Sequence, residues 1–136
     1  MNKGRLPENI GDLAIRRGRG QDIPDFKREA QGAAVFVAEY DGVVVGCAVV
    51  LLNVIPELPI LRPGRRAYLE DLVVAPQCRR KGVGAALMRR VEDWARKRQV
   101  ARLELNVWEF NRGAIEFYQA LGYGTNYRRM GRNVHD

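Results

Sequence analysis

One segment constrains the fold of this chain more than any other: an apolar strand that runs into a long amphipathic helix. Residues 67–75 read as the strand, stopped at Pro76, and six positions later Gly82 opens a stretch with helical periodicity. From Gly82 to Arg98 the apolar residues Val83, Leu87, Val91 and Trp94 recur at that spacing, with Glu92/Arg96 and Asp93/Lys97 as supporting pairs. A strand feeding a helix in this way demands a layer of sheet under a layer of helix.

The flanking sequence extends the layers. Leu13-Ala14-Ile15-Arg16-Arg17 reads as a first strand, and residues 22–31 leave room for one short helix, with Asp22 as cap and Pro24 in its first turn. Residues 33–40 and 43–52 are apolar runs joined by Asp41-Gly42, a hairpin signal because the tight turn needs positive φ at both central residues. Residues 54–66 hold Pro56, Pro59, Pro63 and Gly64 and read as a loop. Leu103, Leu105 and Val107 alternate as a strand. Asn111 caps a second helix with the stripe Ala114, Phe117, Tyr118 and Leu121, Gly122 ends it, and residues 123–132 are expected to form a last strand. The fold class expected is α/β: a mixed, mostly antiparallel central sheet with helices on both faces and a shortened first helical region.

At 136 residues this is one domain, 1–136, with a single core. The longest apolar run, 43–52, is about half of what a membrane-spanning helix needs, so no membrane partner is expected. Met1-Asn2-Lys3-Gly4-Arg5 leads into polar, Pro-containing sequence without an apolar targeting core, and the expected compartment is the cytoplasm. Cys47 and Cys78 are expected as reduced thiols. The one histidine, His135, is next to last, which removes Ser-His-Asp, Cys-His and histidine-based metal mechanisms unless the tail folds back; no metal is expected. Lys plus Arg outnumber Asp plus Glu by 23 to 16, a net charge of +7 that calls for an anionic partner without saying which.

The turn between strand and helix narrows that choice. Arg79, Arg80 and Lys81 precede Gly82-Val83-Gly84-Ala85 at a helix start, where backbone N–H groups lack intrahelical partners and the dipole favours negative charge. Gly82 and Gly84 allow close approach of a phosphate. A Walker A loop would need Gly-Lys-Ser/Thr here, which is absent. A dinucleotide fingerprint would need a third glycine where Leu87 stands and a shorter approach from the strand, although Glu104 lies at a tolerable distance.

Arg79-x-x-Gly82-x-Gly84 resembles the pyrophosphate-binding motif of the GCN5-related N-acetyltransferase (GNAT) superfamily. Asn111-x-x-Ala114-x-x-Phe117-Tyr118-x-x-Leu121-Gly122-Tyr123 resembles that family's second signature, in the right order and at the right distance. The opening Tyr68-Leu69-Glu70-Asp71-Leu72 is similar to the small-amine branch that includes spermidine/spermine and thialysine acetyltransferases. The resemblance implies acetyl-CoA as cofactor and direct acetyl transfer to a primary amine of a small molecule. It implies Tyr118 as the acid that protonates the leaving thiolate and Glu70 as the carboxylate that takes a proton from the amine. It assigns cofactor contacts to Leu72, Val73, Val74, Arg79, Arg80, Lys81, Gly82, Val83, Gly84, Ala85, Asn111 and Tyr118.

Each residue has a plainer reading: Tyr118 as core, Glu70 as a solvated or arginine-paired carboxylate, Arg79 to Lys81 as a solvated turn, Trp94 and Trp108 as core or interface. The family places two helices where residues 20–32 allow one, so the acceptor pocket is open, or completed by the 56–63 loop or by a second subunit; a homodimer is the expectation. Alternative functions are acetylation of a protein lysine or N-terminal amine, a cofactor-binding sensor, and a nucleic-acid-binding module suggested by Arg16-Arg17-Gly18-Arg19. Against the last, the cations at 79–81, 89–90, 96–98 and 128–129 belong to separate elements without a set of stacking aromatics.

Overall fold

Asp41 and Gly42 both take positive φ, 49° and 77°, and fold the chain back on itself as the sequence requires. The computed structural model describes residues 13–19, 32–55 and 64–135. They comprise β1 (Leu13–Arg17), β2 (Ala33–Tyr40), β3 (Val43–Ile55), β4 (Gly64–Val74), a short 3-10 turn (Pro76–Cys78), α1 (Val83–Lys97), β5 (Arg102–Leu105) and α2 (Arg112–Ala120). The strands lie in the order β1-β2-β3-β4-β5, antiparallel except for the parallel pair β4 and β5. The chain divides into two compact units, Met1–Asn106, which holds the sheet and α1, and Val107–Asp136, which holds α2.

Within the first unit α1 packs on the sheet. Its stripe Val83, Leu87, Met88, Val91, Trp94 and Ala95 is buried, and the facing positions Phe36, Ala38, Ala48, Val50, Ala67 and Leu69 are buried with it. Small residues at 38, 48 and 67 let the helix approach. Gly46 takes this furthest, because a Cβ there would stand 3.0 Å from the Val73 carbonyl oxygen and 3.2 Å from Leu87 Cδ1. Val35, Val37 and Val49 form the cluster on the opposite face, with Cys47 packed against it.

Several expectations are corrected. Residues 123–132 form no strand; they pair with no described residue through a ladder and are largely exposed, Met130 at 86%. A strand exists only through its partners, and the apolar residues here, Tyr123, Tyr127 and Met130, lack the period-two spacing that would bury one face of a strand. The expected loop 54–66 is shorter, since β3 runs to Ile55 and β4 starts at Gly64, so the long hairpin continues its ladder through Val54 and Arg65. The strand expected to reach Val107 stops at Leu105. Asp93 pairs with Arg96 at 2.9 Å rather than with Lys97, while Glu92 pairs with Arg96 at 3.6 Å. The short helix expected over 22–31 lies outside the described residues. Among the described residues no helix is long and apolar enough to cross a membrane.

Candidate functional site

Two irregularities in β4 create the site. Val49 pairs with Asp71 and Val50 with Leu69, so Glu70 is the extra residue of a β-bulge. A bulge twists the strand and re-aims its side chains; the buried alternation of Ala67 and Leu69 gives way to consecutive exposed carboxylates at Glu70 and Asp71. At the same level β5 ends, its last register pair being Leu69 with Leu105. From residue 70 to residue 74, β4 therefore has a ladder partner only in β3, and its other backbone edge is bare among the described residues. The bare edge is carried by Leu72, Val73 and Val74, with Val73 48% exposed.

Beyond Val74 the chain makes a tight, ordered bend. The N–H of Ala75 donates to Val45 O at 2.8 Å, that of Cys78 to Ala75 O at 2.8 Å, and Arg79 Nε to Val74 O at 3.2 Å. Arg80 and Gly82 both adopt positive φ, 62° and 83°, and Gly82 caps α1 without a side-chain hydrogen bond. The first intrahelical bond is Ala86 N–H to Gly82 O at 3.0 Å, which leaves the N–H groups of Val83, Gly84 and Ala85 without a partner among the described residues. No acidic side chain stands in this first turn. Unsatisfied donors, the positive dipole end and Arg79, Arg80 and half-buried Lys81 together make a cradle for an anion. These residues fit a diphosphate.

Glu70 is exposed, and no ion pair or hydrogen bond holds it among the described residues. Glu104 serves structure instead, accepting from Arg66 at 3.3 Å and Arg102 at 3.4 Å. Cys47 and Cys78 are both free thiols. Burial pushes the Cys78 thiol up, against a smaller lowering by Lys81; burial and then the Asp71 carboxylate push up that of Cys47. Neither is poised as a thiolate nucleophile.

In the second unit Asn111 Oδ1 accepts from Ala114 N–H at 3.2 Å, the N-cap expected from sequence. Gly122 ends the helix with φ 99°. Tyr118 is half-buried, edge-on to Phe117 at 5.0 Å and to Tyr123 at 5.8 Å between ring centroids. Trp108 is 74% exposed and stacks on Phe110, whereas Trp94 is core. The first unit thus brings together Glu70, the 72–74 edge and the 79–85 turn; α2 carries Asn111 and Tyr118. The bulge at Glu70 and the Arg79–Val74 clasp were not foreseen, and neither leaves a mark in composition or periodicity.

The fold and this site define an α/β protein whose first helix starts with unpartnered N–H groups and flanking cations, among the described residues, at the end of a half-bare strand. Residues 9–123 match the model of the acetyltransferase (GNAT) family, and the chain belongs to that family. Over 98 residues it is 35% identical to the uncharacterized N-acetyltransferase MJ1207 of Methanocaldococcus jannaschii, covering 72% of this chain and 41% of that one. Over 59 residues it is 37% identical to thialysine N-epsilon-acetyltransferase of Bos taurus, covering 43% of this chain and 35% of that one. The chain spans about two fifths or less of the length of these relatives. The solved aminoglycoside N-acetyltransferase AAC(6')-Iy in complex with CoA has the same fold, with a TM-score of 0.75 at 20% identity over 90% of this chain and 100% of that one.

Proposed function

We propose that the chain is an acetyl-CoA-dependent N-acetyltransferase acting on a primary amine of a small molecule, through a single transferase domain. The observation that carries the reading is the turn at 79–85, where three N–H groups without a partner among the described residues and three cationic residues lie at one helix start. Family membership and the CoA held by AAC(6')-Iy support the choice of carrier. When bound, acetyl-CoA supplies an activated acetyl thioester.

The residues divide the remaining work. Gly82, Val83, Gly84 and Ala85 hold the diphosphate with Arg79, Arg80 and Lys81, and the bare edge at Leu72, Val73 and Val74 offers backbone donors and acceptors to an extended amide-bearing arm. Glu70, exposed beside that edge, takes a proton from the acceptor ammonium so that nitrogen attacks the carbonyl carbon; the C–N bond forms as the C–S bond breaks. Tyr118 gives its phenolic proton to the departing thiolate, and Asn111 contributes a cofactor contact. The thialysine acetyltransferase relationship supports a small-amine acceptor. A homodimer and a cytoplasmic setting belong to the same reading; exposed Trp108, Phe110, Met130 and Val134 support self-association, and a strictly monomeric mass in micromolar sedimentation removes it.

The test is release of free CoA from acetyl-CoA with a panel of polyamines, aminoglycosides and amino acids, alongside calorimetric binding of acetyl-CoA. Binding with turnover of at least one small amine is the expected result. No binding overturns the assignment; binding with no turnover of any amine makes the protein a sensor. A Glu70→Gln variant should lower kcat while binding acetyl-CoA normally.

A further inference from the structure

Arg80 stands in a backbone conformation that glycine fills more easily. Three non-glycine residues take positive φ among the described residues: Asp41 at 49°, Gln99 at 58° and Arg80 at 62°. Asp41 lies in the β2–β3 hairpin, whose turn demands it. Gln99 follows the last turn of α1, where its N–H donates to Arg96 O at 3.0 Å and that of Val100 to Ala95 O at 3.1 Å, the closing bonds of a helix end. Arg80 closes neither a hairpin nor a helix. For a residue with a Cβ the left-handed region carries a steric cost that glycine escapes, and backbone strain of this kind clusters at ligand sites.

The cations on either side are committed in place. Arg79 donates from Nε to Val74 O at 3.2 Å, and Lys81 is half-buried, its charge lowering the Cys78 thiol against the larger effect of burial. Arg80 is exposed, and no hydrogen bond or ion pair holds its side chain among the described residues. CoA presents two separate anionic groups to such a turn. Its diphosphate carries about two negative charges, and the phosphate on its ribose 3′-oxygen carries about two more at neutral pH. Arg79 and Lys81 match the charge of the first, together with the N–H groups of Val83, Gly84 and Ala85. A third cation exceeds what the diphosphate requires. A guanidinium fork suits a terminal phosphate, whose oxygens accept in pairs.

We propose that Arg80, in addition to its place beside the diphosphate, reads the ribose 3′-phosphate and so sets the preference of this chain for CoA over its dephospho form. The inference rests on the assignment of the 79–85 turn to the carrier. The left-handed arginine is then strain kept for selectivity, since glycine would give the same turn without either.

The test titrates CoA and dephospho-CoA separately into the full chain by calorimetry, in low-salt buffer free of phosphate. The parent should bind CoA about tenfold more tightly than dephospho-CoA, a preference that shrinks as salt is added. Arg80→Gly should bring the ratio to about one by weakening CoA alone, while its urea midpoint stays level or rises because the left-handed strain is relieved. Arg80→Gln, which removes the charge and keeps a side chain, should lose the preference as well, and Arg80→Lys should keep most of it. Arg79→Gln should weaken both carriers alike. Equal affinities in the parent, a preference retained in Arg80→Gly, a parallel loss for both carriers in that variant, or a preference lost in Arg79→Gln instead overturns the inference and leaves the carrier assignment standing. Failure of the parent to bind either carrier overturns the assignment and the inference with it.

Discussion

Arg79 donates from Nε to the carbonyl oxygen of Val74 at 3.2 Å, which fastens the first cation of the turn to the last residue of β4. One edge of the guanidinium is spent on the strand, and the remaining N–H groups stay available to an anion. Strand edge and turn are thereby held in fixed relation, the geometry a carrier spanning both would need.

Arg79→Ala should therefore act on binding more than on chemistry. Losing a charge-assisted bond worth about 1.5–3 kcal/mol predicts a rise of about tenfold to a hundredfold in KM for acetyl-CoA with kcat changed far less. Arg79→Lys should recover only part, since a single ammonium cannot serve carbonyl and phosphate together. Steady-state kinetics at saturating amine decide.

Gly82 takes φ 83° at the N-cap of α1. A Cβ in that conformation costs about 1 kcal/mol and also places carbon where the free N–H groups converge. Gly82→Ala should lower stability by that amount in urea titration and weaken acetyl-CoA binding by more than the stability loss alone explains.

The sequence made the layers readable because each carries its own periodicity or turn chemistry. Asp41-Gly42 dictates a hairpin, the Val83–Trp94 stripe dictates one buried helix face, and Asn111 and Gly122 bracket α2 with a cap and a left-handed stop. The turn at 79–85 was legible because glycines and cations at a helix start have one electrostatic meaning. What stayed hidden depends on partners distant in sequence. The bulge at Glu70 exists only in the register of β3 against β4, and residues 123–132, expected as a strand, form none.

Gly46 is a packing constraint rather than a conformational one. Its missing Cβ would press on Val73 O at 3.0 Å, Leu87 Cδ1 at 3.2 Å and Val83 Cγ1 at 3.3 Å, so a side chain there lifts the first turns of α1 from the sheet. Gly46→Val should cost about 1–3 kcal/mol. Because Val83 opens α1, acetyl-CoA affinity should fall as well; a fully stable variant with native affinity would contradict the close contact.

The thiols predict an alkaline loss of stability. Both Cys47 and Cys78 have raised values in the fold, chiefly through burial, so the native state favours the neutral thiol. A raised folded value gives stability that is fully present below the unfolded thiol's value of about 8.5 and is lost as pH climbs through the folded values. Urea midpoints should accordingly be insensitive to these groups at neutral pH and decline above it. The pair Cys47→Ala, Cys78→Ala should flatten that decline, whatever the cavities do to the absolute midpoint.

Tyr118 gives the sharpest test of the proposed chemistry. Its ring meets Phe117 and Tyr123 edge-on, contacts that phenylalanine reproduces, so Tyr118→Phe should keep the ring packing of α2 and bind acetyl-CoA with the same affinity. What the variant lacks is the phenolic proton. If that proton goes to the departing thiolate, kcat should fall by about a hundredfold or more, with KM for acetyl-CoA unchanged, and the deficit should be greatest where thiolate protonation limits the rate. Unchanged turnover with a productive amine would assign Tyr118 to packing alone and leave protonation of the thiolate to solvent.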